Sequence, residues 1–194
     1  MLDKLENSYY TQQQSTYAAR GCADANKVKS WAAVYYGMVE QTDGMVGKLL
    51  DELENQKVAN KTLVIFTSDH GEFLGGHGLE GKFGLLEEAL RVPLLIRLPG
   101  SVRVNRTIDM PVSNIDVFPT ILDYLGYTSL DNSDGKSLRP FINNLSYRKY
   151  YDDEFVVSES IQGGSCAAFM VRLRRYKLYI ARLANSTCRD LMFD

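Results

Sequence analysis

Hydrophobic and polar positions change period several times along this chain, and each change marks an expected element. Residues 1–27 are polar, rich in Gln, Ser, Tyr and Ala, and show no clear periodicity, so they read as a loop or lead-in. Over residues 28–54, Trp31, Val34, Tyr35, Met38, Val39, Met45, Val46, Leu49, Leu50 and Leu53 recur mostly at steps of three and four. That spacing predicts an amphipathic helix with one stripe buried against a sheet, and Asp43, Glu52 and Glu54 fall off the stripe into solvent. The period then vanishes in a continuous apolar run, Leu63-Val64-Ile65-Phe66, which reads as a core strand of a parallel sheet. A second buried strand is expected over 92–97, with Pro93 early enough for its missing N–H to be tolerated.

Helical spacing returns over 115–125, with Asn114 or Asp116 as the cap, Pro119 close to the first turn and Gly126 as a left-handed stop. Residues 128–137 are loop by composition. Further on, 155–159, 168–172 and 176–180 are short strand-like runs, the last two joined as a hairpin.

Composition narrows the classes without choosing among them. With 45% apolar and 24% charged residues the chain is ordinary globular material, and 194 residues can bury a real core. The net charge of −2 and the absence of a block of like charge give no expectation of nucleic-acid or membrane-surface binding. No segment approaches the ~20 continuous apolar residues of a membrane span. Residues 1–6 do not read as a signal peptide. Asn60, Asn105, Asn144 and Asn185 each begin an Asn-x-Ser/Thr acceptor, four of ten asparagines, which points to a secretory route. The three cysteines, Cys22, Cys166 and Cys188, form no disulfide framework by themselves.

The chemistry concentrates just after the first apolar run. Ser68-Asp69-His70-Gly71-Glu72 is followed by Leu74-Gly75-Gly76-His77-Gly78 and then Lys82. The carboxyl ends of strands in open α/β sheets are where ligands bind. A carboxylate and an imidazole fixed there, with a lysine from the following loop, suit metal-assisted attack on an anionic ester. Plainer alternatives exist: a loop aspartate capping a turn, a solvated lysine, and a histidine that only holds a glycine-rich turn. His77 can be read either as lining the pocket or as holding the turn. Glu72 is read as able to cap the next turn, and Glu87, Glu88 and Arg91 as an ion-paired link between loop and strand.

The motifs together resemble the sulfatases of the alkaline phosphatase superfamily, in the branch with Asp-His at this point. The resemblance runs from about Tyr35 to about Phe193. It takes in Ser68-Asp69-His70-Gly71, the Leu74-Gly75 and His77-Gly78 pair, Lys82, Glu87-Glu88, Arg91-Val92-Pro93-Leu94-Leu95-Ile96, Ser113-Asn114-Ile115-Asp116-Val117-Phe118-Pro119-Thr120 and Arg174-Arg175-Tyr176-Lys177-Leu178. It implies an α/β fold: part of an alkaline-phosphatase-like mixed sheet flanked by helices, followed by a small antiparallel β subdomain. The implied layout is a lead-in over 1–27, the second half of a catalytic α/β domain over 28–145, and a truncated carboxyl-terminal subdomain over 146–194, with a short helix near 138–142.

The resemblance further implies Asp69 and His70 as ligands of a divalent metal and Lys82 as the cation that grips a sulfate oxygen, with His77 as a second candidate catalytic residue. The metal implied is calcium, with magnesium or manganese as alternatives; histidine nitrogen tilts slightly away from calcium. The family's nucleophile is a formylglycine made within Cys-x-Pro-Ser-Arg or Ser-x-Pro-Ser-Arg, and two adjacent aspartates complete its metal site. This sequence contains no such segment, and its only adjacent aspartates, Asp152-Asp153, come late. The chain is therefore expected to be the carboxyl-terminal half of a sulfatase, open at both ends. Its partners would be a sulfate ester substrate and the missing amino-terminal half, and it would be lysosomal or secretory. The alternatives are a phosphonate or phosphodiester hydrolase of the same superfamily, or a non-catalytic truncated paralogue acting as a binding module.

Overall fold

The computed structural model describes residues 8–82, 84–100, 106–127, 133–143, 155–162, 166–183 and 189–193. The chain divides into two compact units, residues 1–104 and 105–194. Asn105, Asn144, Asn185, Asp152-Asp153, residues 128–132 and the expected boundary at 145–146 lie outside the described residues.

Unit 1 begins with two helices, α1 (Ser8–Arg20) and α2 (Ala25–Asn55). The expected lead-in is thus largely helical. Its Gln, Ala and Arg residues favour helix without forming an apolar stripe, so periodicity missed it. Asp24 starts α2 by accepting hydrogen bonds from the backbone N–H groups of Asn26 and Lys27. The stripe along α2 has the expected spacing but is only half covered. Trp31, Tyr35, Val46, Leu50 and Leu53 are half-buried, whereas Val34, Met38, Val39, Met45 and Leu49 stay exposed. The expectation of one buried stripe is corrected accordingly.

β1 (Val64–Thr67) and β2 (Leu94–Arg97) follow, each four residues long. They pair antiparallel, Val64 opposite Arg97 and Thr67 opposite Leu94. This corrects the parallel core strand: a continuous apolar run reports a strand that can be covered, not its direction. Among the described residues this sheet has two strands, and Phe66 and Leu95 remain exposed on it. Apart from Cys22 and Ala59, the buried apolar residues described in this unit belong instead to the segment between β1 and β2. Phe73, Leu79, Leu85 and Ala89 are each 3% exposed or less, the last in the short helix α3 (Glu87–Leu90).

Unit 2 opens with a 3-10 turn at Asn114–Asp116 leading into α4 (Val117–Tyr124). The cap is Ser113, in a reciprocal box with Asp116 whose carboxylate accepts the Ser113 N–H at 2.8 Å, so Asp116 serves from the third helical position. Gly126 ends the helix at φ +80° as expected. α5 (Arg139–Asn143) is tied to α4 through Thr120, which is fully buried: its Oγ1 donates to the Asp116 carbonyl and accepts the Leu138 N–H. Arg139 reaches the Asp123 carboxylate at 2.8 Å and lies over the Tyr124 ring. A four-stranded antiparallel sheet completes the unit: β3 (Val156–Gln162), β4 (Cys166–Arg172), β5 (Lys177–Leu183) and β6 (Arg189–Phe193), in that order. The expected hairpin is β4–β5, and β6 is an additional strand.

Candidate active site

β1 delivers Asp69 and His70 two and three residues past its last strand position. The Ser68 hydroxyl turns the chain by donating to the His70 carbonyl at 2.8 Å. Asp69 spends one oxygen on its neighbour, Oδ1 accepting the His70 N–H at 3.0 Å, and leaves Oδ2 facing the His70 ring, 3.5 Å from Nε2. On that ring Nδ1 lies 2.8 Å from the Gly71 carbonyl, which can only accept. Nδ1 therefore carries the hydrogen, and in the neutral ring Nε2 offers its lone pair outward. Lys82 Nζ lies 2.7 Å from that nitrogen and donates to it.

A carboxylate oxygen, an imidazole lone pair and an ammonium thus converge at the end of one strand. Desolvation opposes ionisation of Asp69, but the backbone N–H groups of His70 and of Asp69 itself, with the Lys82 ammonium, outweigh it and draw the carboxyl below its ordinary range. An acceptor-rich pair poised beside a cation suits a divalent ion and an anion in contact. Asp69 Oδ2 and His70 Nε2 fit as two ligands, the imidazole once its single Nε2 lone pair is released by the Lys82 ammonium that holds it here. No cluster of three or more His, Cys, Asp or Glu able to hold a metal occurs among the described residues.

The loop between His70 and Lys82 is built by glycines and carboxylates. Gly75, Gly78 and Gly81 have positive φ, as does His77 at +55°. Gly71 donates to the Ala89 carbonyl at 2.8 Å, and a side chain there would overlap the Glu88 carbonyl. His77 does not join Asp69, His70 and Lys82 in any contact described above. Its Nε2 lies 2.7 Å from the Glu88 carboxylate, its carbonyl accepts from Gln14 of α1, and its Nδ1 is buried without a partner among the described residues. Glu88 is thus paired with His77 and not, as expected, with Arg91. Glu72 Oε1 accepts the N–H groups of Leu74 and Gly81, at 3.2 and 2.6 Å. The sequence offered one signal for these two roles: a glycine-rich loop with unpaired N–H groups needs acceptors, and the two glutamates stand at its ends.

The sulfatase profile matches residues 3–127, well over half of the chain. The chain belongs to the sulfatase family. A second profile, for the carboxyl-terminal part of N-sulphoglucosamine sulphohydrolase, matches residues 75–192. Among relatives of this sulfatase chain is arylsulfatase K of Mus musculus, 33% identical over 175 residues, covering 87% of this chain and 31% of the relative. Among solved structures, the phosphonate monoester hydrolase SpPMH of Silicibacter pomeroyi superposes with a TM-score of 0.72 at 27% identity, covering 86% of this chain and 35% of the other. A protein solved in complex with its substrate D-glucosamine-2-N,6-O-disulfate superposes at 0.66 with 27% identity, over 80% of this chain and 32% of that one. This sulfatase chain therefore spans about a third of the proteins it matches. Its fold is that of the alkaline-phosphatase-like sulfatases, and the family carries a divalent metal. No helix among the described residues is long and apolar enough to cross a membrane.

Proposed function

We propose that this chain contributes the metal- and sulfate-holding part of a sulfuric ester hydrolase site. Asp69 and His70 serve as two ligands of a divalent cation and Lys82 as the charge that meets a sulfate oxygen. One observation carries the reading: Asp69 Oδ2, His70 Nε2 and Lys82 Nζ converge at the end of β1, with Nε2 left as an acceptor by the Nδ1 bond to Gly71. When bound, a divalent cation supplies Lewis-acid polarisation of the ester and of the attacking oxygen. Calcium is the proposed ion, and magnesium or manganese the alternatives.

Within the site the chain's own groups bind and orient. Lys82 stabilises the oxyanion charge of the sulfate as the alcohol leaves, a role for which a compact ammonium on a flexible stem is suited. Of the two readings of His77, its bond to Glu88 supports the one in which it holds the turn. The nucleophile and the adjacent aspartates are assigned to sequence outside these 194 residues, in keeping with a chain that spans 31% of its mouse relative. The proposed compartment is lysosomal or secretory; Asn60, exposed in the 3-10 turn before β1, is the one acceptor site within the described residues.

The test begins with the reading frame upstream of Met1. A frame continuing into Cys-x-Pro-Ser-Arg and an adjacent Asp pair is expected. The completed protein is then assayed side by side on an aryl sulfate, a glucosamine sulfate and a phosphonate monoester. Sulfate-ester turnover lost in Lys82→Ala supports the reading. Preference for the phosphonate would install the second reading, which the likeness to SpPMH favours. Residues 1–194 alone are expected to show no turnover above a Lys82→Ala control, and turnover there would refute this assignment of roles.

A further inference from the structure

We propose that Glu72 is the positioning residue that sets the Lys82–His70 contact, an inference that rests on reading Asp69, His70 and Lys82 as one site. Glu72 stands two residues beyond His70. Its Oε1 accepts the N–H of Gly81, the residue immediately before Lys82, at 2.6 Å. One carboxylate therefore joins the backbone just past the ligands to the backbone just before the lysine, closing a nine-residue excursion. The neighbouring bond from Phe73 N–H to the Gly81 carbonyl, 2.8 Å, grips the same residue from its other side.

Gly81 needs this restraint. It has φ +80° and, among the described residues, no atom within 4 Å of where a Cβ would stand, so no described group packs on that side to fix the direction in which the chain enters Lys82. Lys82 itself is exposed, and a lysine side chain carries about 2 kcal/mol of rotamer entropy. A 2.7 Å contact from such a residue holds only when its backbone is anchored. The acceptor is anchored without Glu72, because His70 Nδ1 is bound to the Gly71 carbonyl and Gly71 N–H to that of Ala89. Loss of the Glu72 bond should therefore move the lysine and leave the imidazole in place.

Reach and charge can be separated at position 72. Glu72→Gln keeps the oxygen and its reach but removes the charge, whereas Glu72→Asp keeps the charge and withdraws the oxygen by one methylene. The chain has two histidines, so side-chain 1H–15N spectra of the labelled 194-residue protein report on His70 and His77 separately. Lys82→Ala defines the His70 Nε2 shift without the lysine. Expected are a Glu72→Gln spectrum at the wild-type position and a Glu72→Asp spectrum moved to the Lys82→Ala position, with His77 unmoved in both. Wild-type His70 shifts in Glu72→Asp, loss of the contact in Glu72→Gln, or His77 moving together with His70 would each overturn the proposal. If Lys82→Ala itself leaves His70 unchanged, the contact is absent and the site reading falls as well. A failure confined to Glu72 leaves the Lys82→Ala shift intact.

Discussion

Replacing Gly71 by alanine tests whether the turn after His70 is built as described. A Cβ at residue 71 would overlap the Glu88 carbonyl oxygen, stand 3.0 Å from its carbon and 3.4 Å from the Ala89 Cα. These are backbone atoms with no rotamer to escape into, so the two segments must separate. Separation breaks the Gly71 N–H bond to the Ala89 carbonyl, and an orphaned, partly buried donor costs about 1–3 kcal/mol. Displacing packed neighbours adds about 1–3 kcal/mol. The expected loss is about 2–6 kcal/mol, a large share of the ~5–15 kcal/mol that holds a domain together. Gly47→Ala is the matched control, because among the described residues nothing lies within 4 Å of where its Cβ would stand on α2, and alanine there should gain about 0.5–1 kcal/mol. The single tryptophan, Trp31, lies in the same unit and reports urea unfolding by fluorescence. Equal midpoints for Gly71→Ala and wild type, with unchanged slopes, would refute the account of this turn.

Two further outcomes concern unit 2. Thr120→Val keeps the shape but leaves the buried Leu138 N–H without its acceptor, so it should cost about 1–3 kcal/mol, while Thr120→Ser should lose only about 0.8 kcal/mol for the methyl. Thermal melts followed by circular dichroism decide this, and a valine variant as stable as the serine variant would contradict it. The Asp123 carboxyl is held below its ordinary range by the Ser137 hydroxyl first and then by Arg139. Its folded pKa is thus lower than its unfolded one. The stabilisation is fully present above the unfolded value of about 3.9 and disappears as pH falls through the depressed folded value. Melting temperatures should drop on acidification below about pH 4 in wild type and less steeply in Asp123→Asn; parallel acid slopes in the two proteins would argue against it.

Much of the site was legible because its information is local. Asp69, His70 and Lys82 lie within fourteen consecutive residues behind an apolar run that announces a strand end, and the resemblance to the sulfatases singled them out as a candidate set. Gly126 was legible as a helix stop, and the β4–β5 hairpin as two strand-like runs three residues apart, whereas the cap expected at Asn114 or Asp116 is Ser113, with Asp116 accepting its N–H. What escaped depends on partners. The direction of β1 is set by β2, thirty residues on. Coverage of the α2 stripe depends on what packs against it, and the spacing of Val34, Met38, Val39, Met45 and Leu49 cannot say that these stay exposed. Glu88 could have paired with Arg91 on its own turn, yet the folded loop carries His77 to it. The α1 helix was hidden because propensity without an apolar stripe leaves no period to detect.

The antiparallel register of β1 and β2 has a consequence for how the site assembles. Because Thr67 faces Leu94, the ladder clasps both ends of residues 68–93, so the whole site-bearing segment is a single closed loop. Closure entropy rises only as the logarithm of loop length, about 0.6 kcal/mol per doubling, and contacts made at short sequence separation form early. Asp69, His70 and Lys82 are therefore expected to be in place before any distant segment reaches them, as a prefabricated cradle. Hydrogen exchange would show it: the Gly71 and Gly81 amides should gain protection in the same early phase of refolding as the β1–β2 ladder.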